Sequence, residues 1–213
     1  MPEPVCRGFP LFPLGIVALP TESVPLHIFE ARYRRMIEHC MSATPGSPAR
    51  EFGIVWLSED ELKPVGCACE VERVLERMDD GRLNILARGT RPFRLLARQD
   101  DLPYPAGVVE FLGEREEQLD AQAADAAHDL YRELVLQATD REIDATELRA
   151  MDAYRMAATV EFAVDAKQEL LELRSENARL RLLATLISTA IERLEAAERA
   201  QLRAMSNGKV RFE

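Results

Sequence analysis

Four cysteines and three histidines are the residues of this chain best suited to bind a metal ion or to act as nucleophiles. Cys67 and Cys69 lie two residues apart in a strand-like run, so their side chains should point to the same face of a sheet. Such a pair could form half of a zinc site, but neither a second pair nor a nearby histidine completes it. We therefore predict no metal site and interpret both cysteines as small strand residues.

Sequence motifs that would support catalysis are missing from the chain. It contains no phosphate-binding Gly-x-x-x-x-Gly-Lys-Ser/Thr loop, no dinucleotide-binding Gly-x-Gly-x-x-Gly and no His-Glu-x-x-His. The nucleophile elbow Gly-x-Ser-x-Gly is missing as well. His27, His39 and His128 are far apart in the sequence, and nothing indicates a Ser/His/Asp arrangement. We predict that the protein is not an enzyme and needs no cofactor.

A cluster of arginines occupies residues 82–98, a stretch that contains no acidic residue and includes Phe93. The cluster consists of Arg82, Arg88, Arg91, Arg94 and Arg98. One interpretation is a groove for an acidic or extended peptide, or for RNA. The other, which we favour, is a row of solvent-facing strand residues countered by nearby acidic side chains. The net charge of −10 and the pI near 5.0 disfavour non-specific nucleic-acid binding, which needs neutralising cations, so we do not expect nucleic acid as a partner.

The first 113 residues have the pattern of short strands separated by turns. Phe52–Leu57 is a compact apolar run that contains Trp56. The runs Val65–Met78 and Leu83–Arg88 flank Asp79-Asp80-Gly81. An Asp-Gly step between two such runs predicts a hairpin, because glycine takes the positive φ that the turn needs. Several short strands with turns between them indicate a closed or half-closed β-barrel.

Helical patterns occur once in this first part and throughout the rest. In Glu30–Met41 the apolar residues recur at helical spacing, and Glu30 lies in the first turn, where it can pair with Arg34. After Gly113 the chain is rich in good helix formers and contains no further proline. We predict further helices over Glu114–Thr139, Ala145–Val164, Asp165–Arg174 and from Ser175 to Met205.

The change of pattern at Gly113 predicts a β-rich subdomain over residues 1–113, a helical subdomain over 114–205 and a flexible tail over 206–213. The last helix carries one apolar stripe, which could be a coiled-coil dimer seam or the face that packs on its own domain. The stripe consists of Leu180, Leu183, Ile187, Ile191 and Leu194. It barely sustains three heptads, so we favour internal packing and expect a monomer or a weak homodimer.

The sequence also bears on the compartment. No stretch approaches the roughly 20 apolar residues needed to span a bilayer, and the first seven residues lack the basic region and apolar core of a signal peptide. The cysteines agree with a reducing compartment. We expect a cytoplasmic protein that has no contact with membranes.

An ordered set of short motifs resembles one known family. Leu11-Phe-Pro-Leu14 followed by Val24–Ile37 is similar to the opening of the Lon protease N-terminal (substrate-binding) domain. Later motifs occur in that family's order: Phe52-Gly-Ile-Val55, Val65-Gly66, Asp80-Gly-Arg82, Gly89 with Phe93-Arg94, Pro103-Tyr104, Lys167-Gln168 with Leu170-Leu171-Glu172, and Arg179-Leu180. The resemblance implies an α+β fold in which an N-terminal PUA-like β pseudo-barrel is followed by a C-terminal α-helical bundle.

A binding function is what this resemblance implies. The chain would be a non-catalytic peptide- or protein-binding module that recognises exposed apolar or unfolded segments of other proteins without ATP. The residues that we expect to contact the bound chain are Trp56, Arg91, Phe93 and Arg94. The family signature, which we expect to be mainly structural, is Phe29, Glu30, Arg32 and Tyr33. An RNA-binding PUA-like module and a structural protein-interaction partner are the alternatives.

Overall fold

The computed structural model describes residues 5–44, 46–59 and 61–207. The strands are β1 (Val5–Leu14), β2 (Ser23–Ile28), β3 (Phe52–Ser58), β4 (Glu61–Leu62), β5 (Val65–Arg77), β6 (Leu83–Gln99) and β7 (Ala106–Phe111). The helices are α1 (Ala31–Ser42), α2 (Ala121–Thr139), α3 (Ala145–Arg149), α4 (Ala153–Ala157), α5 (Val164–Glu172) and α6 (Glu176–Asn207), and a short 3-10 helix covers Pro48–Arg50.

Five of the strands form a closed ring in the order β1-β7-β6-β5-β3. The ring closes because β1 also pairs with β3, in parallel, with Leu11 opposite Gly53 and Leu14 opposite Trp56. The other pairs of the ring are antiparallel. Outside the ring, β2 pairs with the first half of β6, and β4 pairs with the end of β3. This closed sheet followed by helices confirms the predicted α+β fold with its PUA-like pseudo-barrel.

The turn between β5 and β6 lies where the Asp-Gly step predicts it. Gly81 has a φ of 84°, and the amide of Met78 donates a hydrogen bond of 2.9 Å to the carbonyl oxygen of Arg82. The Asp80 carboxylate accepts bonds from the amide and from Nε of Arg82, and these bonds lower the pKa of that carboxyl. The hairpin is thus confirmed, although β6 continues through Gly89 far beyond the predicted run.

Three phenylalanines form the centre of the barrel core. Phe9 lies edge-on to Phe93 and to Phe111, with ring centroids 5.3 and 5.4 Å apart. A Cβ atom on Gly53 would lie only 2.4 Å from the Phe93 ring, and one on Gly66 only 2.7 Å from it. The two glycines therefore provide the space that the ring of Phe93 occupies.

Helix α1 begins at Ala31, and Glu30 is its N-cap residue in an extended conformation. The Glu30 carboxylate makes no bond to the helix amides and instead pairs with Arg32 at 2.8 Å. Arg34 donates to the carbonyl oxygen of Asp80 at 2.7 Å. The predicted pair between Glu30 and Arg34 is therefore wrong, because the β5–β6 turn offers Arg34 a partner that is distant in sequence.

By its internal contacts the chain divides into two compact units. The first joins the chain up to Glu117 with Tyr154–Glu176, and the second joins Gln118–Ala153 with the chain from Asn177 onward. The segment that contains α5 thus belongs with the closed sheet rather than with α2, α3 and α6. The predicted division at residue 113 into a β-rich and a helical subdomain stays a prediction.

Two polar contacts attach helix α5 to the connection before β2 and to β5. Lys167 forms an ion pair of 2.6 Å with Glu22, and both side chains are largely buried. Gln168 donates from Nε2 to the carbonyl oxygen of Val65 at 3.1 Å. Because buried pairs of this kind lose much of their stabilisation when one partner is removed, the Lys-Gln motif fixes the position of α5 in the first unit.

Two of the predicted helices differ from those observed. Helix α2 begins at Ala121 instead of Glu114, because the Asp120 carboxylate accepts bonds from the amides of the first turn. The single helix predicted over Ala145–Val164 is wrong, since the short helices α3 and α4 occupy that segment. Two residues after α4 ends at Ala157, the hydroxyl of Thr159 donates to the carbonyl oxygen of Met156 and so competes with continuation of the helical bonds.

The long helix α6 is found close to where the sequence places it. Four residues of its predicted apolar stripe, Leu180, Leu183, Ile187 and Ile191, are buried within the single chain, and Leu194 is exposed. Internal packing, the favoured interpretation, accounts for the four buried residues. The predicted tail begins at residue 206, and its part from residue 208 onward lies outside the described residues.

Candidate functional site

A concave groove of about 850 Å³ opens on the first unit, and we call it the apolar groove. Its walls come from the end of β1, the connection from β2 into α1, the β3–β4 hairpin and the second half of β6. Apolar side chains predominate on these walls, among them Ile28, Phe29, Leu57, Leu62, Leu95 and Leu96. Charged side chains of both signs also line the groove: Glu30, Arg32, Glu61 and Arg98.

Three large apolar side chains of this groove are open to solvent. The exposed fractions are 59% for Phe29, 50% for Leu96 and 38% for Leu57. The ring of Phe29 stacks on the ring of His27 with the ring centroids 5.8 Å apart, and both residues line the groove. Apolar side chains gathered in one concave surface are typical of binding sites, since leaving them in water is unfavourable.

The family signature residues line one wall of the apolar groove. Tyr33 is buried, with its ring 4.2 Å from that of Phe12, and burial raises the pKa of its hydroxyl. The guanidinium of Arg32 lies 4.6 Å from the centre of the Tyr33 ring and pairs with Glu30. These contacts support the structural role expected for the signature, whereas the exposed ring of Phe29 is free to contact a ligand.

A second concavity of about 580 Å³, which we call the β2 groove, adjoins the middle of β2. Pro25, Leu26 and His27 form one side of it, Leu75 and Glu76 of β5 form the other, and Asn84 and Ile85 belong to β6, which pairs with both strands. Leu75 is 50% exposed, so this surface is also partly apolar. His27 lines both concavities, which makes β2 the element that they share.

The four residues expected to contact a bound chain are not brought together. Phe93 is fully buried in the barrel core and cannot touch a ligand there; the expectation for this residue is wrong. Its strand alternates between the two faces of the closed sheet, and Phe93 points inward with Leu83 and Ile85. Trp56 is half-buried, outside both grooves, with the Lys63 ammonium 5.4 Å from its ring centre.

Arg91 is held by contacts within the first unit, although its side chain is 38% exposed. Its guanidinium pairs with Glu51 at 2.6 Å and lies 3.7 Å from the centre of the Phe111 ring. The same Glu51 accepts a second bond, of 2.6 Å, from the hydroxyl of Thr90. This arrangement neutralises the nearly buried Glu51 and leaves Arg91 little freedom to bind another chain.

Four of the clustered arginines have acidic partners. Arg82 pairs with Asp80, Arg88 with Glu72, Arg91 with Glu51 and Arg94 with Glu110. These pairs reduce the positive potential that nucleic-acid binding requires. The structure thus supports the favoured interpretation, in which nearby acids counter the strand arginines.

Nucleophilic and metal chemistry finds little support in the described part of the chain. Cys67 and Cys69 are both fully buried, and burial raises the pKa of the Cys67 thiol well above its ordinary value. A buried neutral thiol is a poor nucleophile. Within residues 5–44, 46–59 and 61–207, no group of three or more His, Cys, Asp or Glu residues could hold a metal ion. In the same residues no helix has the length and apolarity to cross a membrane.

Sequence reasoning missed Leu57 and Leu96 as candidate ligand contacts. Leu96 lies in β6 between Arg94 and Arg98, which a strict two-residue alternation places on the same outward face. An apolar residue between two arginines on the outer face of a strand was the available indication. Leu57 has no comparable local feature, and only the pairing of distant strands reveals its position.

Comparison with known proteins identifies the family. Residues 8–189 match the profile of the ATP-dependent protease La (LON) substrate-binding domain. The Lon protease of Paraburkholderia phytofirmans (strain DSM 17436 / LMG 22146 / PsJN) is 31% identical over 121 residues, which are 53% of this chain and 15% of that protein. The chain thus spans only a small part of the length of this curated relative.

Solved structures share the fold. The crystal structure of a Lon N-terminal domain protein from Xanthomonas campestris aligns with a TM-score of 0.63 and 25% identity, over 84% of this chain and 98% of that one. The N-terminal domain of Mycobacterium avium complex Lon protease aligns with a TM-score of 0.62 and 22% identity, over 85% of this chain and 98% of that one. At this low identity the match is evidence for the fold only. Since the profile matches most of the sequence, the chain belongs to the LON substrate-binding domain family.

Proposed function

We propose that the apolar groove binds exposed apolar segments of other proteins, as unfolded chains present them, and that it does so without ATP or catalysis. The observation that carries this proposal is the presence of three large, solvent-exposed apolar side chains, Phe29, Leu57 and Leu96, on one concave surface. Covering them removes apolar area from water, which stabilises a complex by about 25 cal/mol per Å².

The charges around the apolar groove agree with a ligand that is selected for its apolar side chains. Glu30 and Arg32 neutralise each other, while Glu61 and Arg98 contribute one charge of each sign. No net charge therefore favours an acidic or a basic ligand. The arginine cluster gives no comparable support to RNA binding, because most of its members are paired with acids.

A binding assay with a groove variant tests the proposal. The probe is carboxymethylated α-lactalbumin, which is permanently unfolded, and its fluorescence anisotropy is measured from low to moderate salt. Leu96→Asp places a charge among the apolar side chains and should weaken binding by about tenfold or more, which corresponds to about 1.4 kcal/mol. The matched control is Leu119→Asp, since Leu119 is 57% exposed but lies in the second unit. This control should bind like the unmodified protein.

Several outcomes would refute the proposal. Equal binding by both variants would show that the apolar groove is not the site. A probe that fails to bind at any salt concentration, together with RNA binding that weakens steeply as salt rises, would favour the nucleic-acid alternative. Hydrolysis of casein or ATP that tracks with the protein through repeated purification would contradict a non-catalytic function.

The proposal includes a cytoplasmic location and a monomer or weak homodimer. All four cysteines are free, which suits a reducing compartment. Light scattering over a range of protein concentrations measures the oligomeric state. A tight dimer at the lowest concentrations would contradict this part of the proposal.

A further inference from the structure

β2 is an edge strand. In the part of the chain that the structure describes, its ladder partner is β6 alone. Just before this ladder begins, the amide of Gly89 donates to the carbonyl oxygen of Glu22 at 2.9 Å. In an antiparallel ladder alternate residues exchange hydrogen bonds with the neighbouring strand, so this bond sets which residues of β2 face β6. Those residues are Val24, Leu26 and Ile28, and the backbone groups of Ser23, Pro25 and His27 point away from β6.

The outward edge of β2 is accessible. Ser23, Pro25 and His27 are all exposed. Their outward backbone groups face no other strand among the described residues. An unpaired edge of this kind is a template for one more strand. Because His27 lines the apolar groove, the same strand that offers free backbone groups also borders that groove.

We propose that a bound unfolded segment adds to β2 as a further strand of the sheet, with its apolar side chains in the apolar groove. This inference rests on the proposed function and specifies how the ligand binds. Ser23 to His27 span about 13 Å at the usual rise of a strand, so the paired part of the ligand is a few residues long. Main-chain bonds of this kind hold a segment in place largely independently of its sequence.

Pro25 favours a foreign segment over a second copy of this chain. It lies in the centre of the outward set and has no amide hydrogen to donate. If two β2 edges paired around a twofold axis through Pro25, the two residues without donors would stand opposite each other, and the ladder would lose bonds at its centre. Proline on an edge strand is a common protection against such self-association. Opposite a foreign segment Pro25 lacks only its own donor, because its carbonyl oxygen can still accept a bond from an amide of that segment.

Backbone-modified peptides test the inference without altering the protein. The probe is a short, capped, fluorescein-labelled peptide that alternates leucine with serine and ends in lysine. In one set of peptides the N-methyl groups are on the alternate amides that face β2, and binding should weaken about fivefold for each hydrogen bond lost, which corresponds to about 1 kcal/mol. In a second set they are on the other alternate amides, and the affinity should change little, because those amides face away from β2. Equal effects in both sets would overturn the inference.

Amide hydrogen exchange gives an independent measurement on the full chain. A saturating amount of the unmodified peptide should slow the exchange of the Ser23 and His27 amides by about fivefold or more. The amide of exposed Gly15, outside both grooves, should stay unchanged. In a paired test, His27→Ala keeps the outward amide and His27→Pro removes it, so only the second should lose strand pairing.

The outcomes separate this inference from the proposed function. If the peptide binds, Leu96→Asp weakens it, but Ser23 and His27 remain unprotected, then the apolar groove is the site and strand addition is wrong. If neither this peptide nor the unfolded test protein binds, both proposals fail. Self-association of the chain that the peptide reverses would show that a second copy occupies the edge, which also overturns the inference.

Discussion

Replacing Gly53 and Phe93 by alanine, separately and together, tests the description of the barrel core. The ring of Phe93 fills the space that a side chain at Gly53 would need, since a Cβ there would lie 2.4 Å from that ring. A double-mutant cycle measures how strongly two such positions depend on each other. Gly53 lies on β3 and Phe93 on β6, and they are distant in sequence, so any coupling between them must arise from the fold.

The structure sets the expected magnitudes. Phe93 is fully buried, and truncating such a ring costs about 4 kcal/mol of unfolding free energy. Gly53→Ala overpacks the core and should cost about 2 kcal/mol. Independent effects would sum to about 6 kcal/mol in the double variant. However, the new methyl group then occupies space left by the ring and contributes about 0.8 kcal/mol, so the double variant should lose only about 3 kcal/mol.

Urea unfolding followed by the fluorescence of Trp56 is the suitable assay. Trp56 is the only tryptophan and lies in β3, so it reports on the first unit. As a control, Gly15→Ala replaces Gly53→Ala in the cycle, because a Cβ at Gly15 meets nothing within 4 Å. The control should be additive with Phe93→Ala. Additive losses for Gly53→Ala and Phe93→Ala would refute this description of the core.

Three further predictions concern a tight backbone contact, a helix cap and a buried thiol. Gly89→Ala should lower the unfolding free energy by about 3 kcal/mol, because its Cβ would meet a backbone carbonyl oxygen at 2.1 Å; urea unfolding beside Gly15→Ala measures this. A hydrogen bond from Arg181 lowers the pKa of Asp120 in the folded protein. The ionised carboxylate therefore stabilises the folded state fully above the unfolded pKa of about 3.9, and this stabilisation is lost as the pH falls through the lower folded pKa. Asp120→Asn should therefore flatten the acid side of the stability profile in circular dichroism, and an unchanged profile would contradict the assigned bond. Burial raises the pKa of the Cys40 thiol to about 11, so iodoacetamide at neutral pH should leave it unmodified in the folded protein, and rapid modification detected by mass spectrometry would contradict this.

Local sequence predicted those elements whose own residues decide their conformation. The Asp79-Asp80-Gly81 turn is an example, since glycine at positive φ and the Asp80 carboxylate act within a few residues. The start of α2 was predicted too early, because good helix formers extend back to Glu114 while the capping carboxylate of Asp120 sets the observed beginning. Propensity describes which residues tolerate a helix, and capping bonds decide where it begins.

The candidate site was only partly visible in the sequence. Phe29 belongs to a recognisable motif, but its exposure could not be read from that motif. Phe93 was expected at the ligand because arginines surround it, yet it lies on the inward face of β6 and is buried. Which residues of β6 face inward is a property of the whole closed sheet, since a shift of one residue in the pairing would turn every side chain of the strand to the other face.

The sequence by itself determined the α+β class, the family resemblance, the β5–β6 hairpin and the helical character of the chain after Gly113. These follow from period-two and helical patterns, turn residues and an ordered set of motifs, all of which are local or linear properties of the chain. Only the tertiary structure decided that β1 closes the ring on β3, that α5 belongs with the closed sheet and that Leu57 and Leu96 share one groove with Phe29. The physical reason is that strand pairing and burial join residues that are distant in sequence, and no local pattern specifies which of them will meet.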